Sequence, residues 1–198
     1  MQFDHEKATQ SLNYLAKLNG GKINKMKAIK LIWLAERLHL RKYGRLILND
    51  EYMAMEYGPV CSSTKDIAQL ESTFLSAGEY KYASQYIKSD GQKLEITSIN
   101  DPDTNVFSSS EVQTFEDVFR KYGEMDQFKL AKFSHSFPEW EKHKPVLDSG
   151  VSRVEMNYND FFENPLSPID DFFAEDQSQI QTAKDAFEES RMLENALN

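Results

Sequence analysis

The sequence predicts an α+β chain that is mainly α: a compact helical domain with a small β-hairpin and an acidic, helical C-terminal extension. Three observations predict it. Apolar residues recur at three- and four-residue spacing from Phe3 to Tyr43 and again from Ser110 to Ser136, the period of helices with a buried face. Ser89-Asp90-Gly91 joins two β-prone stretches, and Asp-Gly accepts the positive φ that hairpin turns need. From Asp160 onward the chain alternates acids with paired phenylalanines. The chain divides accordingly into a domain over 1–159 and an extension over 160–198.

The first helix is expected from Phe3 to Asn19, with Ala8, Leu12, Leu15, Ala16 and Leu18 on its stripe and Asn19-Gly20-Gly21 as its stop. The second runs from Asn24, an N-cap type, to Tyr43, and Gly44 closes it. Met26, Ile29, Ile32, Trp33 and Leu40 carry its face, and Leu31, Leu34, Ala35 and Leu38 extend it nearly all round. A helix that apolar belongs in the middle of a domain. Glu51–Tyr57 reads as extended, and Gly58-Pro59 as a fixed turn into a third helix over Thr64–Phe74. The hairpin strands are expected at Tyr82–Ile87 and Leu94–Ile99. Ser108-Ser109-Ser110-Glu111 caps a helix to Tyr122 that faces Val112, Phe115, Val118 and Phe119 inward. Further helices are expected over Asp126–Ser136 and, opened by a proline, over Pro138–Lys142. Pro165 and Pro168 deny the Phe-rich stretch a regular helix, and Gln177–Leu197 reads as an amphipathic helix on a partly flexible tether.

The chain has 198 residues and a formal net charge of −9. The charge is uneven: +4 over residues 1–60, −5 over 61–150 and −8 over 151–198. An acidic chain repels nucleic acid at long range, so direct nucleic-acid binding is not expected. No apolar run approaches the ~18 residues of a membrane span, and Met1–Gln10 lacks the pattern of a signal peptide. One cysteine, Cys61, permits no internal disulfide. These features exclude a secreted disulfide scaffold and a membrane protein, and they suit a cytoplasmic one.

No catalytic residue, cofactor or metal is expected. The four histidines, His5, His39, His135 and His143, include no pair at helical zinc spacing. Cys61 precedes a helix, which favours a thiolate, but a small buried structural cysteine accounts for it as well. Gly20-Gly21-Lys22 lacks the spacing of a phosphate loop, and there is no nucleophile elbow or dinucleotide fingerprint.

One stretch is specific. Trp33-Leu34-Ala35-Glu36-Arg37, Gly44, Asp50, Tyr52, Ala54 and Tyr57-Gly58-Pro59-Val60, followed by Phe133-Ser134-His135 and Pro138-Glu139-Trp140, resembles the Panacea domain, the SocA-like antitoxin family of bacteria and phages. The resemblance covers roughly residues 8 to 160. Glu36 stands where the family often carries Asp, and the acidic tail has no counterpart in the pattern. The resemblance implies a small, mainly helical α+β domain that binds and neutralises a toxin encoded by an adjacent gene. It also leaves open a proteolytic adaptor that delivers the toxin to a protease. An enzyme or transcriptional autoregulator that shares only the fold stays a further alternative.

The partner-binding candidates each carry two readings. Glu36 and Arg37 are charges on an apolar helix. They either form a buried ion-pair network, with Asp50 or His135 as partners, or face the toxin. Tyr52, Tyr57, His135 and Trp140 serve either the core or an interface. Phe161, Phe162, Phe172 and Phe173 are each worth ~1.5–3 kcal/mol when buried. They either close the chain's own core or wrap the partner.

Overall fold

A computed structural model describes residues 2–91, 94–165 and 171–197. Pro168, Ile169 and Asp170 lie outside those residues, as does the side chain of Leu197. The chain runs α1 (His5–Leu18), β1 (Lys22–Asn24), α2 (Lys25–Tyr43), β2 (Tyr52–Met55), β3 (Gly58–Cys61), α3 (Ser62–Gln69), α4 (Ala77–Tyr86), β4 (Ile87–Asp90) and β5 (Glu95–Ser98). It continues with α5 (Ser109–Tyr122), α6 (Gln127–Ser134), α7 (Pro138–Glu141), α8 (Lys144–Asp148), β6 (Arg153–Glu155) and α9 (Gln177–Leu197). Short 3-10 turns fall at Thr104–Val106, Tyr158–Phe162 and Asp171–Phe173. Among the described residues no helix is long and apolar enough to cross a membrane.

Helix α2 is the axis, as its apolar circumference predicts. Every residue from Ala28 to Arg41 is buried, and α1, α3, α5, α6, α9 and β3 pack around it. The Asn24 side chain accepts from Lys27 N at 3.1 Å and opens the helix. Gly44 ends it at φ 64 with its N–H on the Leu40 carbonyl, the left-handed cap that glycine adopts without strain. A Cβ there would overlap the Ala183 carbonyl, so the same glycine lets α9 lie against the end of α2.

Two small antiparallel sheets flank the helices, ordered β1-β5-β4 and β3-β2-β6. The hairpin around Asp90-Gly91 is present, in register from Ile87↔Ser98 to Asp90↔Glu95. Its first strand is shorter than the tyrosine-rich sequence suggests, because Tyr82–Tyr86 belongs to α4. A complete capping box between Ser76 and Glu79 starts that helix, and Tyr82 and Tyr86 meet one turn apart with centroids at 5.2 Å. Local capping outweighs the β preference of tyrosine here. Gly58-Pro59 is not the turn either. Glu56-Tyr57 turns the chain, and Gly58 and Pro59 open β3, pairing with Met55 and Ala54. Pro59 lacks an N–H, and β3 is an edge strand, where that lack is tolerated. Helix α3 stops at Gln69, before the expected Phe74, with Leu70 at φ 54. Helix α8 and strand β6 carry no clear sequence signal and were not expected.

The core is built on Trp33, Phe115, Tyr122 and Phe137. Phe161, Phe162 and Phe173 are buried and Phe172 is half-buried. Phe173 meets the rings of Phe137 at 5.3 Å and Tyr122 at 6.1 Å. Helix α9 buries Ile180, Ala183 and Phe187 and leaves Met192 and Leu193 exposed.

Candidate functional site

The charged residues of α2 are satisfied inside the molecule. Both carboxylate oxygens of Glu36 accept backbone N–H groups, from Leu48 at 2.7 Å and Ile47 at 2.9 Å. Burial raises its pKa to about 7, against the pull of those bonds and of Tyr52. Arg37 is fully buried and pairs with Glu139 at 2.8 Å, not with Asp50 or His135 as the sequence suggested. Its guanidinium also lies 4.8 Å from the Phe137 centroid and donates to the Glu163 carbonyl. Asp50 caps α3 instead: it accepts from Ser63 N at 2.9 Å and from Thr64 N and Oγ1 at 2.8 and 2.6 Å. Tyr52 is 1% exposed, with its ring edge-on to Phe161 and Tyr158.

Arg41, absent from the sequence candidates, ties the extension to α2. It meets Glu175 at 3.0 Å and donates to the Phe161, Phe162, Glu163 and Phe173 carbonyls and to Asn164 Oδ1. An arginine at the polar end of an amphipathic helix reads as solvated, so only the tertiary structure reveals this role.

Tyr57, His135 and Trp140 meet on a surface cleft of about 900 Å³, whereas Phe161, Phe162, Phe172 and Phe173 do not line it. One wall is the start of α2, with Met26, Ile29 and Lys30; another is the β2–β3 hairpin, with Met55, Tyr57 and Val60. His135, Trp140, Leu147 and Val151 close it from the far side, and Phe128 stands at its mouth. The rim is unusually apolar for an exposed surface: Phe128 is 63% exposed and Tyr57 is 54% exposed. His135 stacks on Trp140 with centroids 3.8 Å apart and planes 8° apart. Trp140 is fixed by its Nε1–H on the Met55 carbonyl at 2.8 Å. Burial, then the charge of Lys30, holds the His135 imidazole below its ordinary pKa, and the Glu56 carbonyl opposes them.

Lys30 lies in the cleft floor and is 1% exposed. Its ammonium donates to the Pro59 carbonyl at 2.6 Å, which an edge strand leaves without a strand partner. Burial lowers its pKa to about 7. Gly58, at φ 94, makes room for it: a Cβ there would lie 2.9 Å from Lys30 Nζ and would overlap Ser134 Oγ. Lysine within an apolar helical run suggests a snorkelling side chain at first sight, which is why sequence reasoning passed over it.

Cys61 is not an activated nucleophile. Cys61 is buried, and burial pushes its thiol well above the ordinary value. Among the described residues no group of three or more His, Cys, Asp or Glu is placed to hold a metal ion.

Fold and cleft together define a mainly helical α+β domain with the charges of its central helix built inward and an apolar cleft presented outward. Residues 29–141 match the family model described as antitoxin SocA-like, Panacea domain, and the chain belongs to that family. The match begins in α2 and ends at α7, so it contains Lys30, Gly58, His135 and Trp140 and excludes α9. No curated protein and no solved structure matches the chain. Membership supports an antitoxin role.

Proposed function

We propose that this protein is an antitoxin that neutralises a cognate protein toxin by direct binding, with the cleft as its docking face. One observation carries the reading. Within a domain of an antitoxin family, three of the sequence-selected candidates, Tyr57, His135 and Trp140, converge on a single apolar cleft with exposed aromatic residues at its rim. Aromatic residues in pockets are the usual anchors of protein interfaces. Glu36, Arg37, Asp50 and Tyr52 are buried; Glu36 holds the backbone at Ile47 and Leu48, Arg37 holds Glu139 and Asp50 caps α3. Phe161, Phe162 and Phe173 are buried in the chain's own core and Phe172 packs against it, so the extension acts as scaffold for the domain.

Co-expression with the product of the adjacent gene tests this. Growth rescue together with a stable, co-purifying complex is expected. Phe128→Asp combined with Tyr57→Asp, both at exposed positions, should abolish rescue and complex while the domain stays folded. Rescue that survives the double substitution would remove the cleft from the reading. Rescue accompanied by disappearance of the toxin, with no complex, would replace direct neutralisation by delivery to a protease.

A further inference from the structure

Three cations are buried in the described residues: Lys30, Arg37 and Arg41. Two of them hold a carboxylate, Arg37 with Glu139 at 2.8 Å and Arg41 with Glu175 at 3.0 Å. Lys30 holds none. Its three N–H donors meet a single protein acceptor, the neutral Pro59 carbonyl. Burial divides the group between ammonium and amine near neutral pH, because a buried charge without a counterion is costly, and in this molecule it stands where a groove opens. In the lining of the same cleft a second polar atom is idle: His135 Nε2 is buried and has no hydrogen-bond partner. Both residues lie beside Gly58, whose absent side chain would have stood 2.9 Å from Lys30 Nζ and 3.4 Å from His135 Cδ2.

We propose that Lys30 is the receptor for a carboxylate carried by an apolar peptide segment of the protein partner, seated in the cleft with the acid at its floor. The proposal rests on the reading that this chain binds a protein toxin, and it names the chemistry that toxin presents. The walls set the apolar part: Met26, Ile29, Val60, Leu147 and Val151 offer no hydrogen bond from their side chains. The floor sets the acid. Lys25 and Lys65 add positive charge around the cleft; Glu56 opposes them, while Asp148, the other acid of the lining, is already taken by Lys144 at 2.5 Å. The cleft lining is net positive within a chain of net charge −9, so the attraction is local and specific to the site. A free inorganic anion would reach Lys30 but leave about 900 Å³ of apolar cleft unfilled; a peptide fills both.

A phage-displayed dodecapeptide library panned on the full chain, with the Lys30→Met chain as counter-target, tests the proposal. The enriched peptides should share one Asp or Glu among apolar residues. Replacing that acid by its amide should weaken binding at least about tenfold, the effect of losing a charged hydrogen bond. Against Lys30→Met, acid and amide forms should bind alike. Lys30→Gln serves as a second variant, and if neither folds by circular dichroism the acid-to-amide comparison on the unaltered chain decides alone. Enriched peptides without an acid, equal binding of acid and amide forms, an acid preference that persists in both variants, or no peptide that separates the two chains would each overturn the proposal. The toxin-binding reading is scored separately. If Lys30→Met rescues growth as well as the unaltered chain does, only the carboxylate proposal falls. If acidic peptides are selected but no toxin complex forms, only the toxin reading falls.

Discussion

Arg41→Ala is the perturbation that bears most directly on how the extension is held. The guanidinium is fully buried and gathers one carboxylate, four backbone carbonyls and one side-chain amide oxygen, all but one of them at 3.2 Å or less. Removing it leaves Glu175, whose side chain is 7% exposed, as an uncompensated charge. Breaking a buried pair in this way costs about 3–5 kcal/mol. The carbonyls of Phe161 and Phe162 lose a buried donor as well, at about 1–3 kcal/mol for each group that water does not reach. A loss of at least about 4 kcal/mol is therefore expected, a large part of the 5–15 kcal/mol that holds a domain together. Arg41→Lys keeps the charge but loses the planar fork and should forfeit about half as much. Arg41→Met with Glu175→Met should be less damaging than Arg41→Ala alone, because no charge is stranded. Urea unfolding followed by far-UV circular dichroism gives the stabilities, and hydrogen exchange in α9 locates the damage, with its amides the first to lose protection. An Arg41→Ala protein within 1 kcal/mol of the unaltered chain, with α9 still protected, would refute this account of the extension.

Three further outcomes follow from the same geometry. Lys30→Met should stabilise the protein near neutral pH. The lysine's pKa falls from 10.5 to about 7 on folding, so between those values the unfolded chain binds more protons and the stability of the unaltered protein rises with pH. The advantage of the variant is then full below pH 7, bounded by about 5 kcal/mol, and shrinks toward zero by pH 10.5. Thermal melts of both chains between pH 7 and 9, where the titration of Cys61 on unfolding is common to both, would expose the slope difference; parallel curves would contradict it. Gly58→Ala should lose about 2–4 kcal/mol in urea titrations, from a left-handed backbone without glycine and from overlap with Ser134. Deleting residues 160–198 strips Phe161, Phe162, Phe173, Ile180 and Phe187 from the core, about 1.5–3 kcal/mol each, and leaves Arg41 without acceptors. The shortened chain should be insoluble or unfolded on expression, and a soluble, cooperatively melting product would show that the extension is dispensable to the fold.

The central helix was legible in the sequence because its signals are local: the Asn24 cap, apolar residues on every face and Gly44 at its end each act within a few positions of chain. The capping boxes at Ser76 and Ser108 are equally local, yet the first was hidden beneath a tyrosine-rich stretch of strand-like composition. Tyr57, His135 and Trp140 could be selected as candidates, and the resemblance to the Panacea domain singles out Gly58-Pro59, which the sequence reads only as a fixed turn. The reason for Gly58 is tertiary. Gly58 lies 28 residues from Lys30 and 76 from Ser134 in sequence, and only the packed hairpin turns its missing side chain into room for both.

The sequence by itself determined the helical framework, the acidic extension and the family, because periodicity, capping and short motifs are written in consecutive residues. Tertiary structure alone decided which charge meets which. Arg37 finds Glu139 and Arg41 finds Glu175 across more than a hundred residues, and among the described residues Lys30 meets no carboxylate. Electrostatic pairing depends on distance and burial in space, and neither is encoded in any local stretch of chain.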